Sequence, residues 1–375
     1  MMENVKPLNI AVMGFENGHC YFLYGALKRE PLINVVAVSF APRNRIIYEK
    51  RLGLKAFEGV DIFYDDKAML DAHPEIEAVV VGGANSDHIA EFRLCAERGL
   101  HVISMKAPTY DMDEYDEMIR LQKEHNLVVY IELEMRWKAT IRRMKEIIES
   151  GKLGEIETFN AYNFSHNPMW WQHWMDIPEK SYGKRIPVRP NDRIFRGGAL
   201  TDHPHIFDVV RYLFDSDFDT VYAEAAPNMR DGAETEDMVY IIGKLKNGVV
   251  VSLDPSYANR EPEQCRIENF YLSKYPRAVQ VEMQVNGTNG MLLSDPYGAD
   301  YVESMGPIEQ RYTVGGGMGV ALDDQRRLFI RNFIKDIREG TNNAVISLEE
   351  HKKTMLAMNA AYDSIYSGKP VKIKY

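Results

Sequence analysis

The feature that most constrains the fold is an alternation of short apolar runs with stretches of helical apolar spacing, early in the sequence. The apolar runs lie at 8–13, 35–40, 78–81, 101–104 and 128–131, and the helical stretches at 21–28, 88–98 and 113–124. Unbroken apolar runs are typical of parallel strands covered on both faces, and strands that alternate with helices form doubly wound sheets. The sequence therefore predicts an α/β domain with a doubly wound parallel sheet over residues 1–134.

After residue 135 the pattern changes to strand-like stretches that follow one another with turns between them. The candidates are 220–226, 237–244, 249–253, 278–285 and 291–294, and two helical segments, 324–339 and 347–367, close the chain. This order predicts a second α/β domain over 135–375, with an open, largely antiparallel sheet. We expect the last helix to pack back on the first domain. Because an open sheet has a face to cover, we also expect a homodimer or homotetramer.

Composition excludes several classes of partner. The net charge of -10, with no sustained Lys/Arg run, predicts that nucleic acid is not bound. Unbroken apolar stretches are too short for a membrane helix, and the first residues lack the pattern of a signal peptide. The 3 cysteines form no CxxC pair, which argues against disulfides and thiolate zinc sites. We therefore expect a cytoplasmic protein.

The turn after the first predicted strand is placed where a dinucleotide's pyrophosphate would bind. It contains Gly14, Glu16, Asn17 and Gly18, which we predict to contact the cofactor. Gly14 fits the first position of G-x-G-x-x-G, but Glu16 and His19 occupy the second and third glycine positions. A plain strand-to-helix turn is the alternative interpretation of this segment.

The end of the second predicted strand bears on the choice of nucleotide. Ser39 stands there, and no acidic residue is present to bind the ribose hydroxyls of NAD. Arg43 follows closely and could face a 2′-phosphate, so the sequence favours NADP over NAD. In the alternative interpretation Arg43 is simply solvated.

Three further segments, in order along the chain, resemble motifs of the glucose-fructose oxidoreductase/inositol dehydrogenase (Gfo/Idh/MocA) family. They are 85–88 (Asn85 to His88), 105–108 (Met105, Lys106, Ala107, Pro108) and 197–208 (Gly197 to Asp208). The second is similar to the family's Glu-Lys-Pro, with Met105 in place of glutamate. The third is similar to its Gly-Gly…Asp…His…Asp helix.

The resemblance implies an N-terminal Rossmann domain and an NAD(P)-dependent oxidoreductase that acts on a secondary hydroxyl of a sugar, glycoside or cyclitol. It implies that Asn85 and His88 lie in the loop beneath the nicotinamide ribose. It further implies that Lys106 contacts both cofactor and substrate, hydrogen-bonding the reacting hydroxyl and lowering its pKa. We therefore predict Lys106, at the end of a parallel strand, as catalytic.

Oxidation of an alcohol also needs a base for the hydroxyl proton, and imidazole is suited because it titrates near neutrality. His205 is the predicted base. Pro204 suits the first turn of a helix, so Asp202 and Asp208, each three residues from His205, would share its helix face. The family usually spaces this aspartate and histidine by four, so His203 is an alternative base. We predict that Asp202, His203 and His205 all contact the substrate.

The segment 170–174, rich in tryptophan, offers further substrate contacts. Trp171 could stack on the C–H face of a sugar ring, and His173 could bind its hydroxyls. An ordinary aromatic core or subunit interface is the alternative. Imidazole and carboxylate groups near Asp202 could also bind a metal, but the sequence has no HxxxH pair or nearby thiolates, so we predict none.

Two other functions are compatible with these residues. The altered glycine and Glu-Lys-Pro motifs would suit a non-catalytic sugar- or cofactor-binding regulator, although retention of Lys106, Asp202 and His205 argues against it. Alternatively, a tightly bound cofactor could oxidise the substrate transiently during elimination, epimerisation or glycoside cleavage.

Overall fold

The computed structural model describes residues 6–15, 18–40, 55, 57–165, 186–187, 195–196, 198–228, 234–257, 279–297, 300–306, 308–313 and 318–375. The chain forms two compact units. The first contains described residues of Met1–Leu133 and Arg326–His351, and the second those of Glu134–Trp170, Ile177–Gln325 and Lys352–Tyr375.

The first unit contains a six-stranded parallel sheet in the order β3-β2-β1-β4-β5-β6. Its strands are β1 (Leu8–Met13), β2 (Ile33–Ser39), β3 (Asp61–Phe63), β4 (Ala78–Val81), β5 (His101–Met105) and β6 (Val129–Glu132). All four residues of the central strand β4 are buried, as expected for a strand covered on both faces. The strand order reverses between β1 and β4, which is where sheets of this type bind ligands.

Four helices of this unit connect its strands: α1 (Gly18–Arg29), α2 (Asp66–Ala72), α3 (His88–Glu97) and α4 (Met112–Glu124). The predicted doubly wound sheet is confirmed. The short elements β3 and α2 were missing from the prediction, because three and seven residues give little periodic signal. Asp65 and Asp111 cap α2 and α4 by accepting backbone N–H bonds.

The second unit contains a nine-stranded mixed sheet in the order β16-β15-β14-β13-β7-β12-β11-β10-β17. Its strands are β7 (Ile156–Ser165), β10 (Phe218–Ala225), β11 (Val239–Leu245), β12 (Val250–Asp254), β13 (Val279–Gly287), β14 (Gly290–Asp295), β15 (Asp300–Met305), β16 (Ile308–Thr313) and β17 (Val371–Lys372). The neighbours β7 and β12 are parallel and the other pairs are antiparallel. The predicted, largely antiparallel sheet is thus confirmed. A separate pair joins β8 (Ile186–Pro187) to β9 (Phe195–Arg196).

Burial along β11 alternates residue by residue, so one face of this sheet packs on the core and the other is solvent-accessible. The remaining helical segments are a 3-10 helix (Glu134–Trp137), α5 (Ala139–Glu149), α6 (Ala199–Asp202), α7 (Pro204–Phe214), α8 (Met318–Glu339) and α9 (Leu348–Ser367). Within the described parts of the chain, none of the helices has the length and apolar character needed to cross a bilayer.

Candidate active site

The turn after β1 brings two glycines into close approach. Gly14 has a φ of +81°, and a Cβ built on it would lie 2.0 Å from the Cα of Gly83, the second residue after β4. Only glycine fits both the backbone conformation and this spacing. The backbone N–H of Gly83 donates to Glu91 at 3.3 Å, which fixes the facing turn. Gly14 thus leaves no side chain between the ends of β1 and β4, on the edge of the sheet where a pyrophosphate would bind.

Other predicted cofactor residues near this edge of the sheet are placed as follows. Gly18 begins α1. Ser39 ends β2, is buried, and donates its hydroxyl proton to Asp66. Burial raises the pKa of Asp66 above its ordinary value, and the Ser39 hydrogen bond opposes that rise. Glu16, Asn17 and Arg43 lie outside the described residues.

The loop after β4 is tied to the segment that follows β5. Asn85 donates its side-chain N–H to the carbonyl of Ala107 at 2.7 Å. His88 has Nδ1 3.2 Å from the same carbonyl and Nε2 3.0 Å from the carbonyl of Gly83. Lys106 immediately follows β5 and is buried, and its peptide bond to Ala107 is cis. The structure thus brings Asn85, His88 and the Lys106 segment together at the carboxyl ends of β4 and β5.

In the second unit, the predicted Asp202–His205 helix consists of two helices. Proline has no backbone N–H and restricts the residue before it, so α6 ends at Asp202 and α7 begins at Pro204. His203 lies between them with φ −115° and ψ 51°. The expectation that Asp202 and His205 share one helix face is therefore wrong. The predicted position of Pro204 in the first helical turn is confirmed.

Asp202 and His203 are nevertheless neighbours at this break. The Nδ1 of His203 lies 2.7 Å from the carbonyl of Pro255, which can only accept, so Nδ1 carries the proton of this bond. Its Nε2 lies 3.7 Å from Oδ2 of Asp202, and Tyr257 donates its hydroxyl proton to the same oxygen at 3.2 Å. Asp202 and His203 are both buried.

His205 faces a carboxylate that none of the sequence motifs contains. Its Nδ1 lies 3.8 Å from Oε2 of Glu134, in the 3-10 helix. Asp208, expected beside His205, instead accepts two hydrogen bonds from Arg136, at 2.7 and 2.6 Å. The planar guanidinium matches both carboxylate oxygens, so Asp208 serves to fix α7 to the 3-10 helix. That expectation about Asp208 is corrected accordingly.

Glu236 supports the start of α6. Its carbonyl accepts from the backbone N–H of Ala199 at 2.9 Å, and its Oε1 accepts from that of Leu200 at 3.2 Å. Tyr362 donates its hydroxyl proton to the same Oε1 at 2.6 Å. Burial raises the pKa of Glu236 to about 7. A Cβ on Gly198 would lie 2.0 Å from this carboxylate, so glycine is required there.

Trp171 and His173 lie outside the described residues. Sequence reasoning also missed Glu134, Glu236 and Tyr257, since none belongs to a recognised motif. For Glu134 a signal was present, because it stands within a predominantly apolar segment at 129–137, and a buried carboxylate requires a partner.

Two protein-family models match this chain and define its class. Residues 8–133 match the model of an oxidoreductase family with an NAD-binding Rossmann fold, and residues 141–293 match that of the GFO/IDH/MocA C-terminal domain. The chain belongs to the Gfo/Idh/MocA family, and the predicted NAD(P)-binding oxidoreductase is confirmed.

The named relatives share little sequence identity with this chain. Myo-inositol 2-dehydrogenase of Thermotoga maritima is 22% identical over 325 residues, covering 84% of this chain and 85% of the relative. The 2,7-anhydro-N-acetylneuraminate hydratase of Mediterraneibacter gnavus is 27% identical over 40% of this chain and 36% of its own. Among solved structures, scyllo-inositol dehydrogenase from Lactobacillus casei, with bound NAD(H) and scyllo-inositol, has a TM-score of 0.73 and 17% identity, covering 98% of this chain and 99% of its own.

Proposed function

We propose that this oxidoreductase is an NAD(P)-dependent dehydrogenase that oxidises a secondary hydroxyl of a sugar, glycoside or cyclitol. Lys106, Asp202 and His205 are its proposed catalytic residues. The observation that carries the proposal is the buried Asp202–His205 segment in a chain that belongs to a family of nicotinamide oxidoreductases. Relatives named as inositol dehydrogenases support the substrate class.

In this proposal, His205 accepts the proton of the reacting hydroxyl while Lys106 donates a hydrogen bond to its oxygen. The ammonium group stabilises the developing alkoxide charge and so lowers the pKa of the hydroxyl. When bound, the nicotinamide supplies the acceptor for the hydride that leaves the carbon bearing this hydroxyl. Asp202 places its carboxylate 3.7 Å from Nε2 of His203, which favours the cationic form of that imidazole.

Gly14 fits a dinucleotide site, since it carries no Cβ at the end of β1 and α1 begins at Gly18, four residues later. Gly18, Ser39, Asn85, His88 and Lys106, with Glu16 and Asn17, are proposed to bind the rest of the cofactor. We propose NADP as the preferred form because Ser39, and no acidic residue, ends β2, and because Arg43 follows it in the sequence.

His203, Trp171 and His173 are proposed to bind the substrate with the three catalytic residues. A homodimer or homotetramer is proposed as the assembled state. Its support is the sheet of the second unit, whose outer face exposes Tyr240, Ile242 and Val250. A cytoplasmic location remains a prediction.

Two measurements test the function. Mass spectrometry of nucleotide released by denaturation, with calorimetry on the emptied protein, should find NADP or NAD and a measurable affinity. NAD(P)H absorbance should then rise with at least one of myo-inositol, scyllo-inositol or glucose. His205→Ala and Lys106→Ala should each lower turnover at least about a hundredfold while largely keeping nucleotide affinity. Near-normal turnover in both variants would exclude these residues from the mechanism.

A second candidate function is transient oxidation by a retained cofactor within an elimination or hydration. The relative named as a hydratase favours it. In that case substrate would be consumed, as followed by chromatography, with no net change in NAD(P)H absorbance. Absence of both dinucleotides and of any affinity for them would contradict both candidates and favour a binding protein.

A further inference from the structure

Glu134 and His205 form a buried carboxylate–imidazole pair within the second unit. Oε2 of Glu134 and Nδ1 of His205 are 3.8 Å apart, which is longer than a hydrogen bond, so the pair interacts through its charge; neither side chain is more than 7% exposed. Water screens charges weakly in such surroundings, so a carboxylate at this distance influences both the charge and the proton position of an imidazole.

The spacing of this pair is set by a second contact between the same two elements. Two residues after Glu134, Arg136 holds Asp208 with a pair of hydrogen bonds. Asp208 lies three residues after His205, which is about one turn of α7. Because Arg136 and Asp208 are both buried, their contact fixes the register of the 3-10 helix against α7 and thereby places Glu134 at His205.

The other oxygen of Glu134 is also held. Tyr297, in the turn after β14, donates its hydroxyl proton to Oε1 at 2.6 Å. The ammonium group of Lys138 lies 3.8 Å from the centre of the Tyr297 ring, and Lys138 is almost fully buried. This cation–π contact restrains the ring that orients Glu134. Each carboxylate oxygen of Glu134 therefore has a defined direction, one toward Tyr297 and one toward His205.

We propose that Glu134 is the positioning residue for His205: it keeps the imidazole proton on Nδ1 and so leaves Nε2 able to accept the substrate's hydroxyl proton. Its charge also stabilises the imidazolium that forms when that proton arrives. A neutral imidazole donates from one nitrogen and accepts at the other, so fixing one nitrogen determines the role of the other. The inference rests on the proposed function, in which His205 is the base.

The test is imidazole ¹⁵N NMR of the full-length protein, with the His205 signals assigned by their loss in His205→Gln. The wild type should populate the Nδ1–H tautomer. In Glu134→Gln that preference should be lost, because the amide can donate or accept. The protonation midpoint of His205 should move to lower pH by about one pH unit or more. Glu134→Asp keeps the charge and should recover the wild-type midpoint at least in part.

Two further variants separate this role from general damage. Glu149→Gln, an exposed carboxylate of α5, should change neither tautomer nor midpoint. Tyr297→Phe keeps the charge of Glu134 but removes the donor to Oε1, and should weaken the tautomer preference. If the wild type turns over a polyol, Glu134→Gln should lower kcat about tenfold to a hundredfold, with the acid limb of the pH profile displaced and the KM for nucleotide unchanged.

An unchanged His205 tautomer and midpoint in both Glu134→Gln and Tyr297→Phe would overturn the inference. The NMR comparison needs no substrate, so it decides the role of Glu134 even in a protein without dehydrogenase activity. A wild type that binds neither NAD nor NADP would instead refute the proposed function, and the two failures are therefore distinguishable.

Discussion

Replacement of Glu236 by glutamine should change how the stability of the protein depends on pH. Glu236 accepts hydrogen bonds from the Leu200 N–H and the Tyr362 hydroxyl, and an amide oxygen can accept both. Glu236→Gln therefore keeps these contacts and removes only the titration. In the folded protein burial raises the pKa of this carboxyl from 4.5 to about 7.

The sign follows from proton binding. Between pH 4.5 and about 7 the folded state holds the Glu236 proton more tightly than the unfolded chain does, so the free energy of unfolding decreases as pH rises through this window. The full pKa difference corresponds to about 3.4 kcal/mol, at 1.36 kcal/mol per unit. Glu236 lines a cavity of about 230 Å³ and is not enclosed on all sides, so we expect about 2 kcal/mol.

Urea denaturation of wild type and Glu236→Gln, at about pH 5 and about pH 8, measures this difference. The variant should be close to wild type at the lower pH and more stable by about 2 kcal/mol at the higher one. Glu224 is an exposed carboxylate on β10, so Glu224→Gln is the matched control. Its free energy of unfolding should differ from that of the wild type by the same amount at both pH values. If Glu236→Gln and wild type showed the same pH dependence, the raised pKa would be refuted.

Three other substitutions test separate parts of the structure. Gly14→Ala places a Cβ 2.0 Å from the Gly83 Cα at positive φ, so calorimetry should show nucleotide affinity reduced by at least about tenfold; unchanged affinity would contradict the assigned turn. Arg136→Met leaves Asp208 charged and buried, and should lower the free energy of unfolding by about 3–5 kcal/mol in urea, whereas the double variant with Asp208→Leu should recover most of it. Ile242→Lys adds a charge to the exposed sheet face and should reduce the mass measured by light scattering; an unchanged oligomer would show that this face is not the interface.

Most of the fold could be predicted because its signal is local. The apolar run at 78–81 became β4 with the same bounds, and 113–124 became α4 with one added residue. A turn was expected between the strand-like stretches 237–244 and 249–253, and Gly248 lies there with a φ of +96°. By contrast, β15 and β16 were not predicted. β15 pairs antiparallel with β14 and β16 pairs antiparallel with β15, and such pairing leaves only a weak trace in a short polar segment.

The site was predicted less well because its contacts join residues distant in sequence. The motif spacing singled out Asp202 and His205, which are both buried, but it assumed a single helix through them. Proline is favoured in the first turn of a helix, and it also ends a helix that precedes it. The spacing of Asp202 and His205 alone does not show that Pro204 does both here. Glu134 is 71 residues before His205, so no local period could have paired them.

Asp202, Asp208 and Glu134 are three buried carboxylates of the second unit, and each has a different hydrogen-bond donor. Tyr257 donates to Asp202, Arg136 to Asp208 and Tyr297 to Glu134, so each acid has its own donor. Of the three, only the Arg136–Asp208 pair joins the 3-10 helix to α7 by hydrogen bonds to both oxygens. A change at Glu134 should therefore leave the strand order and the α7 register intact while altering the imidazole it faces. For this reason stability and catalysis should depend on different acids. Replacement of Asp208 should mainly change the free energy of unfolding, and replacement of Glu134 should mainly change the protonation of His205.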